Sequence, residues 1–268
     1  AIFRFLNYYS YVISSNLYIR RFNEDFDVVF INQLSPVMMA SCGLKYKKRH
    51  NKNALLYCLD LWPESLSAGG MKRESMVYRI FYNVSKSIYK EADFIYVTSE
   101  MFKEHLENEF GISEENMEYL PQYAEDLFLG SVTHNEDAQE TNFLFAGNIG
   151  AAQDVKTILY AMNEIKTHKN INCHIVGDGS ELGEIKSLSD ELKLTQVFFH
   201  GRKELKDMPY YYSMADAMIV TLQDDEVLSM TLPGKVQSYM ASERPIIGAI
   251  NGETYRVVNS SGSGLCCH

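Results

Sequence analysis

Apolar runs of strand length, each followed by a segment of helical spacing, constrain this chain more than any other feature. The runs are Asp27–Ile31, Ala54–Leu59, Phe94–Thr98, Asn142–Ala146, Asn172–Val176, Val197–His200, Ala217–Thr221 and Pro245–Ile250. They are continuous rather than alternating, as parallel strands covered on both faces are. Between them, Val155, Ile158, Leu159 and Met162 share one helical face, and Met76, Ile80, Phe81, Val84 and Ile88 another. Such alternation predicts βαβ units and doubly wound parallel sheets. The length of 268 residues suits two domains of ordinary size. From Pro121 to Thr141 the chain is rich in acids, Gly and Asn, including Glu125, Asp126, Gly130 and Asn135, with little to bury. The expected domains are therefore 1–125 and 142–268, joined by a linker at 126–141. The chain opens on a helix-like stretch (Phe3, Leu6, Tyr9, Tyr11, Val12) and stops at Gly264–His268, where another strand begins. The expectation is a middle portion of a longer protein, its first domain incomplete and its second lacking an end.

Charge is distributed unevenly. Residues 1–90 hold 13 Lys and Arg against 6 Asp and Glu, while residues 91–268 hold 12 against 29. The net of −10 argues against wholesale nucleic-acid binding, yet the basic first part suggests an anionic partner for that part. No apolar run approaches the roughly 20 residues of a membrane span, and no cleavage-site pattern marks a secretory leader. Five cysteines without a C-x-x-C pair suggest neither a zinc site nor a redox motif. Cys42, Cys58 and Cys173 read as buried thiols of a reducing compartment.

In a doubly wound sheet, chemistry sits beyond the C-terminal strand ends. Gly147-Asn148-Ile149-Gly150 follows one such end, and its glycines would let backbone approach a phosphate. An ordinary tight turn explains it equally well. Gly177-Asp178-Gly179-Ser180 follows the next, with Ser180 as helix N-cap, and here the turn is the better explanation. The most distinctive segment is Asp224–Lys235. Pro233-Gly234 leads into a helix over 235–241, and its amides, the Ser229 and Thr231 hydroxyls and the Lys235 ammonium would suit a diphosphate. A capped helix with a solvated lysine is the plainer alternative. Asp224, Asp225 and Glu226 read as a solvated loop rather than a metal site.

In the first half, Asp60 ends a strand, where it could act as base or sugar ligand, or merely cap the next helix with Trp62 as packing. Lys45, Lys47, Lys48, Arg49 and Lys52 form a basic run. With Arg4, Arg20, Arg21 and the aromatics Phe3, Phe5, Tyr8, Tyr9 and Tyr11, it suits the face of an anionic membrane. RNA is the rival partner, without an RNA-binding signature to support it. A solvated face is the ordinary explanation of such a run.

Taken in order, Asp60–Ser65, Glu91–Phe94, Tyr119–Gln122, Phe145–Gly150, Val176–Gly179 and Leu232–Ala241 resemble bacterial family-4 glycosyltransferases of the GT-B type. The subgroup is similar to the fucosaminyltransferase-like, capsule and O-antigen enzymes. The resemblance spans nearly the whole chain and is most specific from Leu232 to Ala241, with Arg244–Ile247 after it. It implies two Rossmann-like domains facing a cleft, a retaining transfer from a nucleotide-diphosphate donor such as a UDP-sugar, and no obligatory metal or other cofactor. It implies a donor site in the second domain: Gly147–Gly150 near the diphosphate and sugar, Gly177–Gly179 beside it, and Gly201-Arg202 near the nucleobase. Ser229, Thr231, Leu232, Pro233, Gly234, Lys235 and Ser238 would hold diphosphate and ribose. The first domain would take a polyprenyl-linked or growing polysaccharide acceptor, placing the protein in the cytoplasm, peripheral to the inner face of the bacterial plasma membrane. Asp60 and Lys235 are the catalytic candidates.

Two departures from the family pattern stand out. The family's two glutamates in a Glu-x7-Glu pattern fall at Met230 and Ser238, and its Arg and Lys after the glycine loop fall at Asn148 and Gln153. The alternatives are a nucleotide-sugar-binding fragment without turnover, a GT-B type UDP-sugar epimerase, and an NAD-dependent oxidoreductase. The last lacks a full G-x-G-x-x-G with an acid about 20 residues on.

Overall fold

The computed structural model describes residues 2–130 and 139–267. The chain separates into two compact units, Ala1–Pro121 and Gln122–His268. Among the described residues, the first unit is built on a four-stranded sheet of β1 (Val28–Gln33), β2 (Asn53–Cys58), β3 (Phe94–Val97) and β4 (Met117–Tyr119), in that spatial order. All pairings are parallel. Helices α1 (Ile2–Tyr18), α2 (Ser41–His50), α3 (Glu64–Ala68), α4 (Met76–Glu91) and α5 (Glu100–Phe110) alternate with the strands. In α4 the buried face runs through Tyr78, Phe81, Ser85, Ile88 and Tyr89. Met76 and Ile80, expected on that face, are exposed. The aromatic rings take the inward positions because they remove more apolar area from water. The short edge strand β4 has no apolar run and was not legible from pattern.

The second unit carries a six-stranded parallel sheet of β5 (Thr141–Ala146), β6 (Ile171–Val176), β7 (Val197–Gly201), β8 (Ala217–Thr221), β9 (Ile246–Ala249) and β10 (Gly264–Cys267). Its spatial order is β10-β9-β8-β5-β6-β7. The chain steps outward from β5 to β7, then returns to lay β8 on the other side of β5, so the order reverses between β5 and β8. Helices α6 (Val155–Glu164), α7 (Leu182–Glu191), α8 (Met208–Met214), α9 (Glu226–Ser229), α10 (Gly234–Ala241) and α11 (Gly252–Ser260) complete it. One core contains Leu144, Val176, Met218 and Tyr239. A second contains Phe145, Ile149, Cys173 and Ile175. Alternate strand residues enter different cores, so both faces are covered and the strands read as unbroken apolar runs. Val155, Ile158, Leu159 and Met162 are all buried, as their spacing implies.

Residues 122–130 belong to the second unit, which corrects the expected boundary and linker. Phe128, in a single 3-10 turn over Asp126–Phe128, is buried and stacks on Tyr212 with ring centroids 4.7 Å apart. A single large aromatic is enough to anchor a polar stretch. The rest of that stretch at 131–138, including Asn135, lies outside the described residues, as do the side chains of Phe3, Arg4 and Phe5.

All five cysteines are free. Cys58 and Cys173 are buried, and desolvation pushes each thiol up to about 12. Cys42, expected to be buried, is only half so. Among the described residues, no helix is long and apolar enough to cross a membrane.

Candidate functional site

The reversal between β5 and β8 places the ligand crevice of the second unit at the loops after those strands. Those loops are laced together by their backbones. The Gly147 amide donates to the Val176 carbonyl (2.9 Å), Ile149 to Asp178 (2.9 Å) and Glu181 to Ile149 (3.0 Å). Gly177 donates to Gly201 (3.0 Å), tying in the loop after β7. A Cβ at Gly177, whose φ is +147°, would lie 1.8 Å from the Gly147 carbonyl oxygen. No side chain fits there, so this glycine serves loop-to-loop packing before anything else.

Exposed side chains of this rim include Asn148, Asp178, Ser180 and Arg202. Ile149 is fully buried in the core and offers only backbone to the rim. Asp178 accepts the amide of Gly179 (2.8 Å). The N-cap of α7 is Glu181 rather than Ser180, because the Glu181 amide is drawn to Ile149 and the helix starts one residue later.

In the acidic trio, Asp224 and Glu226 are exposed, while Asp225 has a structural task. Asp225 caps α9, accepting from the amides of Val227 (2.9 Å) and Leu228 (3.0 Å). Asp224 accepts from Asn251 (2.8 Å). Among the described residues, no group of three or more His, Cys, Asp or Glu could hold a metal. The Ser229 hydroxyl donates to the Glu226 carbonyl (2.8 Å) and that of Thr231 to Val227 (3.2 Å). Both hydroxyls thus donate to α9 carbonyls in this structure. Leu232 is buried beside Val236 in the core and offers no contact surface. Pro233 caps α10, which begins at Gly234, with Ser238 buried one turn on. In the first turn of α10 the Val236 amide donates to the Pro233 carbonyl (2.9 Å), and the helix start carries a partial positive charge.

Lys235 lies in that first turn. Its Nζ sits 4.1 Å from the centroid of the Phe145 ring and donates to Gln153 Oε1. A Cβ on Gly147 would come within 3.0 Å of it, so the ammonium rests against the glycine loop. Desolvation pushes the Lys235 pKa down to about 7. Tyr239, about one turn beyond Lys235 in α10 and on the core side, fixes this placement. Its hydroxyl donates to the Ala146 carbonyl (3.0 Å) and accepts from the Ala146 amide (2.8 Å). The sequence marks Lys235 but not its setting. Phe145 reads there only as core, and Gln153 only as a cation lost.

The first unit treats its charged residues differently. The Asp60 carboxylate accepts from Ser35 Oγ, from Trp62 Nε1 (3.0 Å) and from Ser65 Oγ (2.6 Å). Trp62 is itself buried. With three donors around it, Asp60 ties the turns after β1 and β2 together, with Trp62 packed beside it. The basic run falls on and after α2. Lys47 pairs with Asp93 (2.8 Å), Lys48 with Glu91 (2.8 Å) and Lys52 with Asp25 (3.0 Å). Arg49 binds the carbonyls of Ile19 (3.2 Å) and Arg20 (2.6 Å) and the Asn23 side chain (2.8 Å). Of the five, only Lys45 makes no such contact among the described residues. The run is a set of tertiary ties before it is a surface for anything else.

Comparison with known proteins places the chain in a family. Residues 131–268 match the family described as glycosyl transferases group 1. The chain belongs to that family. It is similar to the "Probable glycosyltransferase WbjE" of Pseudomonas aeruginosa, 26% identical over 244 residues. That match covers 87% of this chain and 58% of the relative, so the chain spans less than two thirds of its length. In structure it is similar to Anabaena Alr3699/HepE in complex with UDP and glucose (TM-score 0.72, 14% identity, covering 96% of this chain and 67% of that one). It also resembles the lipopolysaccharide outer core galactosyltransferase WaaB (TM-score 0.60, 17% identity, covering 96% and 65%). These likenesses show two parallel-sheet α/β units of the GT-B kind.

Proposed function

We propose that this chain carries the donor-binding part of a glycosyltransferase that moves a sugar from a nucleotide diphosphate, most simply a UDP-sugar, to a lipid-linked or growing surface polysaccharide. The observation that carries the reading is the convergence, at the reversal of the second sheet, of the Gly147 loop, the start of α10 and the Lys235 ammonium. A diphosphate placed there meets backbone amides, a helix N-terminus and one cation. Departure of the nucleoside diphosphate builds negative charge on its terminal phosphate. Amides and an ammonium aimed at that charge lower the barrier because they stabilise the leaving group more than the ground state. In this reading the transfer retains anomeric configuration and the cation is Lys235 rather than a metal ion. Arg202, exposed beyond β7, would meet the nucleobase. Membrane attachment through α1 and α2 rests on less, since most of the basic run is internally paired.

The test is ligand protection followed by transfer. UDP raises the melting temperature and NAD does not. A labelled sugar then moves from a UDP-sugar to a lipid-linked acceptor. Protection by NAD instead of UDP would refute the reading; UDP protection without transfer would leave a binding module.

A further inference from the structure

The Lys235 side chain is half-buried, yet no carboxylate among the described residues pairs with its ammonium. Its hydrogen-bond acceptor is the neutral amide oxygen of Gln153. Gln153 is itself held on several sides. Its amide N–H donates to the Gly150 carbonyl (2.9 Å), and its carbonyl accepts from the Thr221 hydroxyl at the end of β8. The neighbouring Ala152 carbonyl accepts from Gln223 (3.0 Å). The short turn Ala151–Gln153 is thus pinned between the loop after β5 and the end of β8, on the two strands where the sheet order reverses.

We propose that Gln153 is a positioning residue: it fixes the Lys235 ammonium against the Gly147 loop without neutralising it, so that an incoming diphosphate is the first counter-charge the lysine meets. The inference rests on the reading of this rim as a diphosphate site. A carboxylate at 153 would hold the ammonium equally well, but it would satisfy the charge internally and repel the ligand. An apolar side chain would leave the ammonium with only the Phe145 ring, a weaker and less directional partner. Among the described residues, no charged group shifts the Lys235 titration. β5 presents Phe145 and the Gly147 backbone, the turn presents the Gln153 amide, and burial alone accounts for the depressed basicity of Lys235.

Two isosteric variants of the full chain test this, Gln153→Glu and Gln153→Met, beside Lys235→Met. Lysine side-chain NMR with ε-13C label reports the Lys235 titration, its signal identified by its loss in Lys235→Met. Calorimetry with UDP between pH 7 and 9, where the terminal phosphate stays ionised, reports binding. In the parent chain, affinity falls as pH rises through this range, approaching about tenfold per unit, because the charged lysine binds the ligand. Gln153→Glu moves the lysine titration toward the ordinary lysine range, removes most of that pH slope and weakens UDP at pH 7 by about tenfold or more. Gln153→Met weakens UDP but keeps the slope. A titration and slope unchanged in Gln153→Glu would overturn the role of Gln153 while leaving the diphosphate reading intact. A parent chain that ignores UDP, or a Lys235→Met chain that binds it as tightly as the parent, would overturn both.

Discussion

The two units use the same elements, parallel strands with helices between them, but end their strands differently. In the first, the described strands follow one another across the sheet in chain order, and the polar side chains at their ends satisfy one another. Asp60 is enclosed by three donors, and Lys47, Lys48 and Lys52 have carboxylates of their own. In the second, the order reverses between β5 and β8, and the lysine at the reversal is left with an amide and an aromatic ring. A strand-end charge whose partners are all internal supports the fold. One that is positioned but uncompensated is prepared for something else to complete it.

The comparison is most exposed at Lys235. Replacing it with Met should weaken UDP binding about a hundredfold, near 2.7 kcal/mol, as expected for a desolvated charge-assisted contact to phosphate. Stability should move the other way with pH. Because burial lowers the lysine's pKa in the folded state to about 7, the unfolded chain binds the extra proton between that value and the ordinary lysine value. The second unit should therefore gain stability as pH rises from about 7 toward 10, and Lys235→Met should remove that gain. Denaturant titrations at several pH values measure it.

Asp60→Ala comes next. It strips the acceptor from Ser35, Trp62 and Ser65, and should destabilise the first unit by about 2 kcal/mol in urea titrations. UDP affinity should not change. A loss of UDP affinity with no loss of stability would break the distinction and bring Asp60 into the chemistry.

The smallest effect is expected at the α2 pairs. Lys47→Ala should cost about 1 kcal/mol or less, and Lys48→Ala, with its more exposed side chain, less still. Desolvation raises the Asp93 carboxyl, but hydrogen bonds from Lys47 and the Ala54 amide, with the Lys47 charge, outweigh it and leave the pKa below its ordinary value. The stability Asp93 contributes is thus present above the ordinary carboxylate range and lost as pH falls through the depressed value. Lys47→Ala should shrink that acid-side slope. Salt-dependent loss of liposome binding in these variants would sharpen the picture differently, by giving the basic face a second role.

Much of this fold was legible because buried parallel strands must be apolar on both faces. That produces the unbroken runs of β5, β6 and β8 and the inward stripe Val155, Ile158, Leu159 and Met162, whereas Val28, Phe30 and Ile247 of β1 and β9 are apolar yet exposed. Strand β4 was not, since three residues at a sheet edge need no such run. In the site, the glycine loops and Lys235 stood out as residue types suited to phosphate. What composition could not reveal was where their neighbours point. The hydroxyls of Ser229 and Thr231 turn back to α9 carbonyls, and Gln153 turns toward Lys235. The Gln153–Lys235 contact spans 82 residues of chain, which no local pattern encodes.

The stack of Phe128 on Tyr212 has a practical corollary. The family match starts at residue 131, but the folded body starts at Gln122. Tyr212 in turn meets Tyr239 edge-on, and Tyr239 grips the end of β5. Anyone excising the second unit at the homology border would cut away the first ring of a relay that ends beneath the glycine rim, so expression plasmids for that unit belong with a start at 122.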